Sequence, residues 1–206
     1  MEKRLRIIVC GVGFGQFYIR AIDKIKCKYK LVGILSRGSE WSKQWTKKYG
    51  VILYTDIDEI TKENVDVVCV VIKSTVVNGE GSTIVHSLLE KGINVIQEHP
   101  IDIDDYIMCI KIAQKNCCMY RLNTFYPQLS NVKQFIFLAG KLREKNDVQY
   151  INAECSVHVL FPLIDILGRA IGGLRPWKFE RVEETYKNSP FCIIYLSLIH
   201  ISEPTR

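Results

Sequence analysis

The segment Leu5-Arg6-Ile7-Ile8-Val9-Cys10-Gly11-Val12-Gly13-Phe14-Gly15-Gln16 decides the fold. Its apolar run reads as a strand over 5–11, and the amphipathic stretch behind it reads as a helix over 16–25. Glycines between the two permit a tight turn and let backbone amides at the helix start approach a pyrophosphate closely. The third glycine sits one place earlier than in the G-x-G-x-x-G pattern. At the first strand-to-helix turn of an alternating chain, the motif favours dinucleotide binding over a bare structural turn. Gly11, Gly13, Phe14, Gly15 and Gln16 are therefore the first candidate cofactor-binding residues.

Outward from that turn, strands over 30–36, 51–54, 65–72, 94–97 and 119–124 alternate with helical stretches over 39–49, 56–62, 82–91 and 103–115. The run 65–72 is almost continuously apolar, as a parallel strand covered on both faces should be. The alternation predicts an α/β protein whose N-terminal Rossmann domain, a doubly wound parallel sheet, spans 1–127. Past Pro127 the rhythm changes. Helices over 130–145 and 161–171 combine with strands over 149–157 and 179–184 and the start of another at 192–195. That pattern predicts an α+β domain over 128–195 with an open, mostly antiparallel sheet.

Residues 196–206 agree at all eleven positions with the in-frame translation of a transposon-type sequencing adapter. They are set aside from fold reasoning. The natural chain is then expected to continue past Tyr195. The second domain is expected to be truncated, to expose apolar surface and to leave this chain inactive.

Composition narrows the function classes. At 206 residues, 48% hydrophobic and 24% charged, the chain is neither disordered, collagen-like nor coiled coil. No apolar run approaches the roughly 20 residues of a membrane span. The apolar stretch after the basic N-terminus is too short for a secretory signal. A cytoplasmic location without membrane association is expected. Eight cysteines show no C-x-x-C spacing and several lie inside apolar runs, which predicts reduced thiols and no metal site. Residues 1–50 carry 12 Lys/Arg against 3 Asp/Glu. Nucleic acid is disfavoured as the reason, because these basic residues alternate with apolar helix positions and no recognition motif appears. An anionic cofactor suits them better.

The strand ends carry the remaining candidates. Where the second strand closes, an NAD-preferring site places Asp or Glu on the adenosine ribose. Here stand Ser36, Arg37 and Ser39, a cation with hydroxyls suited to a 2′-phosphate, which favours NADPH. Lys73, Ser74 and Thr75 follow the most apolar strand, at the position where such sheets bind nucleotides. Glu98-His99-Pro100 then puts a carboxylate and an imidazole at the next strand end, and Tyr126 closes the first domain within Thr124-Phe125-Tyr126-Pro127. Imidazole and phenol are both able to act as acids.

At Gln97-Glu98-His99-Pro100 and Asn123-Thr124-Phe125-Tyr126-Pro127 the chain resembles the glucose-fructose oxidoreductase / inositol dehydrogenase superfamily. Most of its members read Glu-Lys-Pro where His99 stands here. With His99, the chain is similar to one subgroup, the thiazolinyl imine reductases of yersiniabactin- and pyochelin-type siderophore biosynthesis. Phe14-Gly15-Gln16-Phe17-Tyr18, Lys73-Ser74-Thr75-Val76, the run from Val95 to Pro100 and Cys117-Cys118 extend that likeness. The resemblance implies NADPH-dependent reduction of a thiazoline C=N to a thiazolidine, on an intermediate carried by a nonribosomal peptide synthetase. It implies Tyr126 and His99 as the catalytic acids, Glu98 beside the cofactor, and a homodimer at full length. The sugar-oxidising relatives commonly carry Asp-x-Gly-x-His in the second domain; Asp165-Ile166-Leu167-Gly168-Arg169 occupies that place, without the His. The alternatives are another oxidoreductase of the superfamily, acting on a sugar, polyol or cyclic imine, and a non-catalytic NADP-binding regulator.

Overall fold

A computed structural model describes residues 3–74, 79–145, 148, 150–156, 159–174, 177–184 and 192–198. The chain divides into two compact units, Met1–Asn123 and Thr124–Arg206. The first holds six strands: β1 (Leu5–Cys10), β2 (Tyr29–Leu35), β3 (Ile52–Tyr54), β4 (Val67–Val70), β5 (Asn94–Glu98) and β6 (Tyr120–Asn123). They form one sheet in the order β3-β2-β1-β4-β5-β6, and every neighbouring pair runs parallel. The order reverses direction beside β1, so the ends of β1 and β4 open the crevice where such sheets bind ligands.

Four helices cover the sheet: α1 (Gly15–Lys24), α2 (Glu40–Tyr49), α3 (Gly81–Glu90) and α4 (Ile103–Lys115). Successive residues of β1 serve opposite faces, as the two-residue period of a strand requires. Ile8 and Cys10 join a core with Val85, Leu88 and Leu89 of α3 and Cys109 and Ala113 of α4. Ile7 and Val9 join the other core with Ile19 and Ile22 of α1 and Trp45 of α2. Burial on both faces explains why 65–72 reads as a continuous apolar run rather than an alternating one. The core also lifts the thiols of Cys10 and Cys69 to about 12 and that of Cys109 to about 11, through burial. The cysteines whose side chains are described are all free.

The second unit contains α5 (Ser130–Arg143), α6 (Leu160–Ile171) and an antiparallel hairpin of β7 (Trp177–Glu184) and β8 (Cys192–Leu198). Of the strand expected over 149–157, the described residues 150–156 carry no regular structure. Alternation alone does not make a strand, because its N–H and C=O groups need a neighbouring ladder. Tyr150, 82% exposed, shows how little packs against this stretch. β8 runs on through Leu198, so three residues of the segment set aside above pair with β7. Leu-Ser-Leu has strand-compatible alternation whatever its origin. Among the described residues, no helix is long and apolar enough to cross a membrane.

One charged clamp joins the starts of the two central strands, β1 and β4. The Arg6 backbone N–H donates to Asp66 Oδ2 at 2.7 Å, its Nη2 donates to Asp66 Oδ1 at 2.9 Å, and the Asp66 N–H donates back to the Arg6 carbonyl at 2.9 Å. Arg6 holds the Asp66 carboxyl at about 2, mainly through the side-chain hydrogen bond. In the unfolded chain that carboxyl titrates near about 3.9. A depressed folded value stabilises the fold above the unfolded value and is lost as pH falls through the folded one. The urea midpoint should therefore fall between roughly pH 4 and pH 2. Asp66→Asn should lower the midpoint at neutral pH and remove its share of that acid limb.

Candidate functional site

The glycines of the first turn answer three different demands. Gly11 has φ +88°, and a Cβ on it would sit 2.4 Å from Ile72 Cγ2. It is the turn residue, and its N–H donates to the Leu35 carbonyl at 2.9 Å. Gly15 begins α1, buried, where a Cβ would lie 3.0 Å from Val9 Cγ1, so its role is close packing of helix on strand. At Gly13 a Cβ would meet nothing within 4 Å. Protein packing does not require a glycine there, whereas a ligand approaching the backbone would. The early third glycine is thus explained: Gly15 meets the packing demand at the first residue of the helix.

α1 starts without a side-chain cap and without an acidic residue in its first turn. Its leading amides and positive dipole end remain suited to an anion. Gln16 Nε2 donates to the Gly13 carbonyl at 3.0 Å and braces the turn from outside. Phe14 and Phe17, 46% and 54% exposed, lie beside it with ring centroids 5.1 Å apart. The residues present therefore fit a dinucleotide pyrophosphate at Gly11 to Gly15.

At the end of β2, Ser36 Oγ accepts from the Gly38 N–H at 3.2 Å. Ser39 caps α2, its Oγ accepting from the Ser42 N–H at 3.2 Å. Arg37 projects outward and pairs with Glu80 at 2.9 Å. After β4, Lys73 is exposed, while Ser74 is buried and donates from Oγ to the Pro100 carbonyl at 2.6 Å. That bond ties the exit of β4 to the turn after β5. Thr75 lies outside the described residues.

A dense polar cluster sits where β5 and β6 end. Glu98 is only 8% exposed, and a carboxylate in that position needs partners. Its Oε2 accepts from the Tyr18 hydroxyl of α1 and from Asn123 Nδ2 of β6, the latter at 3.1 Å. Asn123 Nδ2 also donates to the Tyr18 oxygen. Glu98 Oε1 lies 2.8 Å from His99 Nδ1, which is 3.3 Å from the Asn123 carbonyl. Burial, with the Glu98 contact, drives the Tyr18 phenol far above its ordinary value, so Tyr18 acts as a fixed donor. The Nδ1 edge of the His99 ring thus faces both the carboxylate and the Asn123 carbonyl. Sequence reading placed Glu98 and His99 at this strand end but assigned no role to Tyr18, which lies 80 residues away in the chain.

In the second unit, Tyr126 opens a one-turn 3-10 helix (Tyr126–Gln128). Its ring packs edge-on against Phe125 at a centroid distance of 5.7 Å. Thr124 Oγ1 donates to Asp165 of α6, which also accepts from Arg169 Nε at 2.7 Å. Asp165 and Arg169 thereby gain a structural role, bracing the segment that carries Tyr126. Among the described residues, no group of three or more His, Cys, Asp and Glu could hold a metal ion.

Residues 5–124 match the family described as an oxidoreductase family with an NAD-binding Rossmann fold, GFO/IDH/MocA. Among solved structures, apo scyllo-inositol dehydrogenase from Lactobacillus casei aligns with a TM-score of 0.66 at 17% identity, over 88% of this chain and 58% of that one. GenD2 from gentamicin A biosynthesis, in complex with NAD, aligns with a TM-score of 0.63 at 18% identity, over 72% and 42%. Myo-inositol 2-dehydrogenase from Lactobacillus plantarum gives 0.58 at 21% identity, over 72% and 43%. This chain therefore spans only 42% to 58% of those proteins' lengths. No curated protein matches the sequence.

The glycine roles separate experimentally. Gly11→Ala should destabilise the fold by roughly 1–3 kcal/mol, the size of backbone strain at a positive φ. Gly13→Ala should leave the melting temperature unchanged and weaken NAD(P)H binding, read by quenching of protein fluorescence. Equal loss of stability in both would contradict the distinction.

Proposed function

The chain belongs to the GFO/IDH/MocA oxidoreductase family, with its NAD-binding Rossmann fold, and from that premise we propose that it serves an NADPH-dependent imine reductase. The substrate class is a thiazoline borne on a nonribosomal peptide synthetase carrier, reduced at C=N to a thiazolidine during siderophore assembly. The single observation that supports this best is the buried Glu98 carboxylate set against the imidazole of His99. In relatives of the sugar-oxidising kind the sequence resemblance leads one to expect a lysine at that place.

Gly11, Gly13 and Gly15, with the amides opening α1, hold the pyrophosphate, and Arg37 meets the 2′-phosphate. The bound reduced nicotinamide supplies the hydride. Reduction of C=N also requires one proton at nitrogen, and that is the task of this chain's acids. With the Nδ1 side of His99 turned toward Glu98 and the Asn123 carbonyl, Nε2 is the nitrogen that exchanges a proton. Tyr126 is the second acid, its segment braced by Asp165. The full-length protein works in the cytoplasm as a homodimer.

The test expresses the complete gene and follows NADPH oxidation with a thiazoline substrate. His99→Asn and Tyr126→Phe should each lower turnover more than cofactor affinity. Unchanged turnover in both would discard the assignment, and a clear preference for NADH over NADPH would discard the cofactor. A protein that binds NADPH, never oxidises it and tolerates both substitutions would be a nucleotide-binding regulator.

A further inference from the structure

Sheet order puts β2 and β4 on either side of β1. The residues leaving those two flanking strands meet each other: Arg37, two residues past β2, pairs at 2.9 Å with Glu80, the residue that opens α3. The strand between those two, β1, leads into the glycine turn. Backbone bonds fix the residues on either side of Glu80. The Gly79 N–H donates to the Ser74 carbonyl at 2.8 Å and the Gly81 N–H to the Lys73 carbonyl at 2.9 Å. A Cβ at Gly79 or Gly81 would lie 2.0 or 2.8 Å from the Lys73 oxygen. Two glycines pressed against the exit of β4 thus hold Glu80 between them. Its carboxylate makes no capping bond to its own helix.

We propose that Glu80 is a specificity-determining residue for the adenosine end of the cofactor, setting how strongly a 2′-phosphate is preferred over a bare ribose. The proposal rests on the reading that the glycine turn binds a dinucleotide with Arg37 at its adenosine ribose. The sequence offers no acid at the end of β2 to accept from ribose hydroxyls, yet the fold brings one to the same cation from α3. Arg37 and Glu80 are 87% and 66% exposed, and an ion pair so solvated is easily parted. A 2′-phosphate, with more charge and the geometry for paired guanidinium bonds, displaces the carboxylate from Arg37. Glu80 then remains beside the phosphate and repels it. With an unphosphorylated ribose, the same carboxylate stays paired or accepts from the hydroxyls. Glu80 therefore narrows the margin by which Arg37 favours NADPH.

Calorimetric titration with 2′,5′-ADP and 5′-AMP isolates this end of the cofactor from any chemistry at the nicotinamide. Glu80→Gln should tighten 2′,5′-ADP by about fivefold, the size of one exposed charge interaction, and leave 5′-AMP within about twofold. Glu80→Ala should act in the same direction, and the gain should shrink in 0.5 M salt, as screening of exposed charges requires. Arg37→Met should weaken 2′,5′-ADP toward the affinity of 5′-AMP. Binding of both nucleotides with a ratio unmoved by either Glu80 variant overturns this inference while leaving the dinucleotide reading intact. Failure of the parent chain to bind either nucleotide overturns the dinucleotide reading and this inference with it.

Discussion

The structure depends on one confined reversal. β1 is buried on both faces, and the chain must leave it and re-enter the core as α1 within five residues. Gly11 supplies the positive φ that turns the backbone past Ile72, and Gly15 lets α1 lie against Val9 closely enough that a Cβ would force Val9 to shift. Everything on the ligand side follows from that geometry. No side-chain cap occupies the first α1 amides, and Tyr18, one turn further on, faces the ends of β5 and β6.

The two ion-bearing contacts near this turn work in opposite ways because of solvent. Glu98 is nearly sealed from water, so its hydrogen bonds to Tyr18 and Asn123 are strong and costly to lose, each worth roughly 1.5–3 kcal/mol as bonds to a charged group. That cluster is a fixed support for the imidazole of His99. Arg37 and Glu80 stand in water, where Coulomb attraction is screened and side-chain ordering opposes pairing. Their contact holds only until a better anion arrives. Rigidity thus lies at the imidazole end of the crevice, and exchangeability at the exit of β2.

The second unit shows where pattern reading meets its limit. α6 and the β7–β8 hairpin are legible from periodicity, yet residues 150–156 alternate like a strand and form none. A helix satisfies its own backbone and is announced by its own residues, whereas a strand exists only where another supplies the ladder. The same limit hides the Thr124–Asp165 contact, which joins residues 41 positions apart. Arg169, without an assigned partner in the sequence, proves to be held by Asp165 one helical turn earlier.

Sequence alone determined the α/β class, the six parallel strands of the first unit within a few residues, the glycine turn after β1 and the strand ends where Glu98 and His99 stand. All of these are local: apolar period, glycine spacing and the exits of strands can be read along the chain. Tertiary structure alone decided what the site residues touch. Ser39 became a helix cap, Ser74 a brace on Pro100, and Glu98 the anchor of a cluster that recruits Tyr18 from α1 and Asn123 from β6. Glu80 met Arg37 only because β2 and β4 flank β1. The physical reason is common to them all: a buried or paired polar group is defined by partners far away in sequence, and no local pattern names those partners before the sheet has assembled.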